Sequence, residues 1–143
     1  MEVLPAGWSD EARRAVEVVE AKPARLWSFE VKLSLGRGSL REAPFQAVSN
    51  STGANFGYLV AAEILEVVEA ELRMLSALYG AGVILLDAGT PRDSRILLPA
   101  RERIEVDWDN LDRLAGENDD ARQFLIRVRH FHLTGDPRKE DWL

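Results

Sequence analysis

The sequence predicts an α/β domain with a central mixed β-sheet flanked by helices, and three observations carry that prediction. Residues 26–33 alternate between apolar and polar side chains, the period of a strand. Leu65, Val68, Leu72, Leu75 and Leu78 recur at three- and four-residue spacing, the stripe of a helix. Segments of the two kinds follow one another as helix, strand, helix, strand, helix, strand, strand, helix, helix, an order that favours helices packed on a sheet.

Each element has a local reason. Ser9 caps a first helix in which Ala12, Ala15, Val16 and Val19 share a face, with Asp10 and Glu11 complementing the dipole in the first turn, and Lys22-Pro23 ends it. In the strand that follows, Trp27, Phe29, Val31 and Leu33 share one face and are expected to enter a core, while Ser28, Glu30 and Lys32 project from the other. Ser39-Leu40-Arg41-Glu42 has a capping-box pattern that opens a second helix running to about Thr52. Pro44 sits awkwardly in it, because five residues past such a cap its missing N–H breaks a helical bond, so the first turn must be kinked or begin elsewhere. Gly53-Ala54-Asn55 then turns into an apolar strand, Phe56 to Glu63. The Leu65–Leu78 stripe forms a third helix closed by Gly80, and Gly82 to Leu86 is a short strand with Arg95-Ile96-Leu97-Leu98 as its hairpin partner. Two closing helices carry Trp108, Leu111, Leu114 and Ala115, then Phe124, Leu125, Val128 and Phe131. Asp107 and Asp119 or Asp120 are their expected caps, and Gly135 is the stop.

A chain of 143 residues is the size of one ordinary domain, expected here over residues 1–143 with 1–24 as a lead-in helix and linker. The absence of cysteine excludes disulfides and thiolate metal sites, and two histidines are too few for a zinc site of ordinary composition, so any metal would be held by oxygen. No apolar run approaches a membrane span, and the first residues lack the pattern of a signal peptide, which makes a cytoplasmic protein with no membrane partner the expectation. A net charge of −6 disfavours broad electrostatic binding of nucleic acid by this domain alone. Fifteen of the eighteen basic residues are arginine, a bias that we attribute to coding composition rather than to phosphate recognition.

Glu30 and Lys32 stand two apart on one strand, so both project from the same face. A Glu-x-Lys pair held this way has the groups to bind a divalent metal and a water at one phosphate. Alone it is more simply a cross-charge on a solvated strand, and its neighbours have to decide. Glu42, Gln46 and Asn50 fall at i, i+4 and i+8 of the second helix, which lines up a polar stripe that either faces this pair or faces solvent.

The order of strand with Glu-x-Lys, helix with Gln46, apolar strand, helix and short strand resembles the core of the restriction-endonuclease-like superfamily named for its PD-(D/E)xK motif. The runs Trp27-Ser28-Phe29-Glu30-Val31-Lys32, Phe45-Gln46-Ala47-Val48-Ser49-Asn50-Ser51 and Gly57-Tyr58-Leu59-Val60-Ala61-Ala62-Glu63 also look like the C-terminal region of a bacterial family of longer proteins, in which helix-turn-helix regions precede an endonuclease-like domain. The likeness continues through Glu71-Leu72-Arg73, Gly82-Val83-Ile84 and Pro99-Ala100-Arg101, so it covers nearly the whole chain from Arg25.

That resemblance implies magnesium-dependent hydrolysis of DNA phosphodiesters. Glu30 and the carbonyl of Val31 would be metal ligands, Lys32 would position or help deprotonate the attacking water, and Gln46 would lie beside the metal. DNA is the implied partner of the full-length protein. One part of the motif departs from the pattern: the superfamily carries an aspartate on the strand before Glu-x-Lys, and no strand precedes Glu30 here. The upstream acids are Glu2, Asp10, Glu11, Glu17 and Glu20, all but Glu2 in or at the head of a helix. The chain is therefore expected to be an N-terminally shortened fragment that lacks the first catalytic strand and holds Mg2+ weakly, and this puts cleavage by the chain itself in doubt. The alternative from a different class is a non-catalytic binding or dimerisation module, with a homodimer covering the sheet edge that the absent strand would pair.

Other candidates rank lower. His130 and His132 flank Phe131 on different faces of a helix, which disfavours a shared metal. Arg122, Arg127, Arg129, Arg138 and Lys139 make the C-terminal end locally basic, as helix solubility alone requires. Gly36-Arg37-Gly38 lacks the Gly-Lys-Ser/Thr of a phosphate loop, and Trp8, Trp108 and Trp142 read as packing residues.

Overall fold

The alternating stretch forms β1 (Trp27–Leu35), and the apolar run after Asn55 forms β2 (Phe56–Ile64) parallel to it, in a computed structural model that describes residues 7–21, 25–136, 138 and 140. With β3 (Gly82–Leu85) and β4 (Arg95–Leu98) they make a four-stranded mixed sheet in the order β1-β2-β3-β4. The first three strands are parallel, and β4 returns antiparallel to β3. The parallel strands are joined by the crossover helices α2 (Ala43–Asn50) and α3 (Glu69–Tyr79). The predicted order of elements and the α/β class are therefore those of the structure. The described residues form two compact units, one holding this sheet and its two helices, the other holding the three remaining helices.

In the sheet unit, α2 and α3 supply Ala43, Ala47 and Leu72 to a core completed by Leu59 and Ala61 of β2 and by Leu35, Leu40 and Val68, with Ile64 and Leu75 at its margin. Burying a side chain such as Leu59 or Leu72 contributes roughly 1.5–3 kcal/mol. The stripe of α3 is narrower than its spacing suggests, because a 3-10 turn at Glu66–Val68 precedes the helix and Leu65 and Leu78 stay exposed. Gly80 closes α3 with φ +76, a left-handed conformation open to glycine without strain.

Helix α2 begins three residues later than the capping-box pattern implies. Residues 37–42 form turns in which the Ser39 hydroxyl accepts from the Gly36 amide at 2.9 Å, and the helix starts at Ala43. Pro44 then falls in the first turn, where its missing N–H breaks no bond, and the awkward position disappears. The helix ends at Asn50 and tightens into a 3-10 turn at Ser51–Gly53.

One expectation fails outright. Trp27, Phe29, Val31 and Leu33 do not enter a core, and each is more than half exposed. The buried face of the sheet is the other one, where Glu30 and Lys32 point. Helix α2 packs over both β1 and β2, so its apolar side meets Leu59 and Ala61 while its polar side meets Glu30 and Lys32. Alternation in β1 identifies two faces but not which one the helices cover, and β2 is apolar on both faces, so it does not decide either.

Among the other described helices, α1 (Asp10–Ala21), α4 (Trp108–Glu117) and α5 (Asp119–Thr134) pack through Ala12, Ala15, Ala115 and Leu125, with Trp8, Trp108, Leu111 and Phe124 around them. Ser9 caps α1 as predicted, accepting from the Ala12 amide, and Asp107 caps α4, accepting from the Asn110 amide at 3.0 Å. The cap of α5 is Asn118 rather than Asp119 or Asp120: its side chain accepts from the Asp120 and Ala121 amides, leaving the two aspartates in the first turn. Lys22-Pro23, Lys139, Trp142, Glu2 and the side chains of Val19 and Glu20 lie outside the described residues.

Gly57 of β2 sets how near α2 comes to the sheet. A Cβ there would meet the Ser51 Cβ at 2.2 Å, with the Ala47 carbonyl 3.6 Å away. Replacing Gly57 by alanine is expected to destabilise the sheet unit by about 1–3 kcal/mol, the range for overpacking a close contact. A urea titration followed by circular dichroism checks this.

Candidate functional site

On the covered face of β1, Glu30 and Lys32 lie side by side, with the Lys32 Nζ 2.8 Å from Glu30 Oε1. Their spacing on an extended strand brings them to the same face, and α2 closes over them. Lys32 donates to Gln46 Oε1 at 2.7 Å, and Gln46 Nε2 donates to Glu42 Oε1 at 2.8 Å. Asn50 Nδ2 donates to Glu30 Oε2 at 2.7 Å. The polar positions of α2 thus face the strand pair rather than solvent, and Glu42, Gln46, Lys32, Glu30 and Asn50 form one continuous relay. Glu30, Lys32 and Gln46, the three residues expected in a catalytic role, are brought together.

The relay is sheltered without being sealed: the Glu30 and Lys32 side chains keep 17% and 32% of their exposure, while Glu42 and Asn50 are open to solvent. Partial burial strengthens the ion pair relative to one in bulk water and leaves a route for a small anionic group to reach Lys32. Two larger clefts lie elsewhere. One of about 310 Å3 is lined by Ser9, Glu117, Asp119 and Arg122, and one of about 320 Å3 is lined by Leu86, Asp87, Asp93 and Arg95. Neither includes a relay residue.

The donor set does not by itself fit a resident divalent cation. Glu30 has both oxygens engaged, one by an ammonium and one by an amide, and Val31 offers only its backbone carbonyl. Among the described residues, no group of three or more His, Asp or Glu side chains could hold a metal. Glu30 and Lys32 together carry no net charge, whereas Mg2+ sites in proteins use one or two carboxylates that are free to bind.

Asn55 is the positioning residue that sequence reasoning missed. Buried just before β2, its side chain accepts from the Leu26 amide at 2.9 Å and donates to the Arg103 carbonyl at 2.9 Å. Its own backbone N–H donates to the Leu26 carbonyl, and its carbonyl accepts from the Arg103 amide. Asn55 thereby holds the start of β1, four residues from Glu30, against the segment after β4. In sequence it reads as an ordinary turn residue, because its partners are 29 and 48 positions away.

The lower-ranked residues lie in the helical unit. His130 Nε2 is 3.3 Å from the Thr134 hydroxyl, and the His132 ring packs edge-on against Phe131. Arg122 pairs with Asp119, whose hydrogen bond and charge raise the guanidinium above its usual pKa.

The relay makes different demands on two substitutions at Glu30. Glu30→Gln keeps an acceptor for Asn50 and is expected to cost less than about 1 kcal/mol, whereas Glu30→Ala leaves Lys32 and Asn50 without that partner and should cost about 1–2 kcal/mol. Urea midpoints of the two variants and the parent chain measure the difference.

Comparison of the chain with models of known protein families, with curated proteins and with solved structures gave no match.

Proposed function

We propose that the chain is a restriction-endonuclease-like domain of a bacterial DNA-acting protein, and that Glu30, Lys32 and Gln46 form one half of a site for phosphodiester hydrolysis. The observation that carries this reading is the bond from Lys32 Nζ to Gln46 Oε1 at 2.7 Å: a strand Glu-x-Lys and a helix glutamine, joined at the lysine. In this reading Lys32 meets a backbone phosphate and offsets its charge, Glu30 orients the ammonium, and Gln46 fixes its direction from the helix side. A resident Mg2+ would add Lewis-acid activation of water and phosphate, and it enters only with a second carboxylate beside Glu30. The chain alone is therefore expected to contact DNA and to cleave it poorly.

A second reading, a non-catalytic binding module on the same fold, is favoured by one observation: Glu30 and Lys32 are both satisfied by partners within the protein. The two readings differ in what Lys32 does for DNA. Fluorescence anisotropy of a labelled duplex at low salt should show weak, salt-sensitive binding that Lys32→Ala reduces several-fold, together with little or no plasmid nicking in Mg2+. Binding that is absent, or unchanged by Lys32→Ala, would remove the nuclease reading and leave the binding module.

A further inference from the structure

The face of the sheet opposite the relay carries a continuous apolar surface. The strand register sets Trp27 beside Phe56, Phe29 beside Tyr58, and Val31, Val60, Ile84 and Ile96 in one row across all four strands. Trp27 stacks on Phe56 with ring centroids 5.2 Å apart, and Phe29 stacks on Tyr58 at 6.1 Å. Tyr58 leans over Gly82, where its ring would meet an added Cβ at 2.3 Å, and its hydroxyl accepts from the Ala100 amide at 3.3 Å. The side chains on this face are therefore ordered against one another. Those at the two sides of the sheet remain open to solvent, Trp27 51% exposed, Phe29 54%, Val31 62%, Leu33 85% and Ile96 62%, whereas Val60 between them is buried and Phe56, Tyr58 and Ile84 are half-buried.

This surface lies at the upper end of what a monomer exposes. With aromatic side chains near 200 Å2 and aliphatic ones somewhat smaller, these five leave on the order of 600 Å2 of mostly apolar area in water. Ordinary monomers expose contiguous patches of a few hundred Å2, and a standard interface takes about 800 Å2 from each partner. The exposed apolar area thus approaches what one side of a stable dimer needs. The paired residues whose side chains share this face carry no charge, whereas Glu30, Lys32 and Glu63 stand on the other face and the chain as a whole carries a net charge of −6. A contact made through this face brings no like charges together. An uncharged apolar patch also sets no charge pattern against itself across a two-fold axis.

We infer that this sheet face, centred on Phe29 and Val31, docks against the same face of a second copy of the chain, sheet on sheet. The two layers pack at the ordinary inter-sheet spacing of about 10 Å, with their apolar side chains interleaved. This interface differs from pairing through the free edge of β1, because its contacts are side chains rather than backbone groups, and it does not rest on the nuclease reading.

Sedimentation equilibrium of the full chain over a range of concentrations tests the inference. The expected result is a monomer–dimer equilibrium with a dissociation constant on the order of micromolar, weakened at least tenfold by Leu33→Lys and by Val31→Lys. Both positions are more than half exposed, so the fold should tolerate the charge. The chain has no cysteine, so Leu33→Cys provides a second measurement that introduces no charge: a short thiol-specific cross-linker should join two copies. A chain that stays monomeric throughout overturns the inference, whether or not it binds uncharged lipid vesicles or another protein. A dimer that survives both lysine variants and yields no cross-link also overturns it, because the contact then lies on another surface.

Discussion

The close approach of α2 to β2 is the constraint on which the arrangement of this chain depends. It is made by small residues: Ala43 and Ala47 on the helix, Ser51 in the turn after it, Gly57 and Ala61 on the strand. Where larger side chains would hold a helix further off a sheet, these let α2 settle low enough for Gln46 and Asn50 to reach β1 directly. A helix seated this way covers two strands with two kinds of surface, apolar over β2 and polar over β1. The polar relay and the hydrophobic core are therefore products of the same placement, and a shift of α2 by an ångström or so would break several hydrogen bonds while losing packing.

Charge balance decides what the relay can do. At the strand pair one carboxylate and one ammonium at 2.8 Å cancel, Glu42 at the solvent end is the relay's one uncancelled charge, and the two amides complete the hydrogen bonding, so the group is stable without a ligand. The same balance argues against a dication, which needs negative charge free to bind it. An anionic phosphate fares better, because Lys32 has three donor positions and remains partly exposed. The DNA-acting reading rests on this asymmetry and on the joining of Lys32 to a helix glutamine. It does not rest on any bound ion.

Much of the fold was legible in the residues, for reasons that can be named. Periodicity, apolar runs and capping patterns together located each α-helix and strand among the described residues, and local chemistry placed Ser9, Asp107, Gly80 and Gly135 at the ends where they stand. Pro44 itself marks the start of α2, since proline fits a first helical turn and not the interior that the capping-box pattern implies. Errors arose where a decision depends on partners remote in sequence. Trp27, Phe29, Val31 and Leu33 form an apolar face, but the choice of which face to bury was made by α2 and α3, whose small residues fit against Leu59 and Ala61. Asn55 looked like a turn and is a buried clamp between two distant segments. At the candidate site, the juxtaposition of Glu30 and Lys32 follows from strand geometry alone. The orientation of Gln46 and Asn50 toward them was visible only as a stripe with two possible directions.

These points converge on Asn50, whose amide lies 2.7 Å from Glu30 Oε2. If the relay is a hydrolytic half-site that lacks one carboxylate, Asn50→Asp supplies that carboxylate where it is needed. Isothermal titration with Mg2+ and Mn2+ should then show affinity at least about tenfold above that of the parent chain, lost again when Glu30→Gln is added. An Asn50→Asp chain that binds neither ion more tightly than the parent, or one whose binding is indifferent to Glu30, would contradict the half-site.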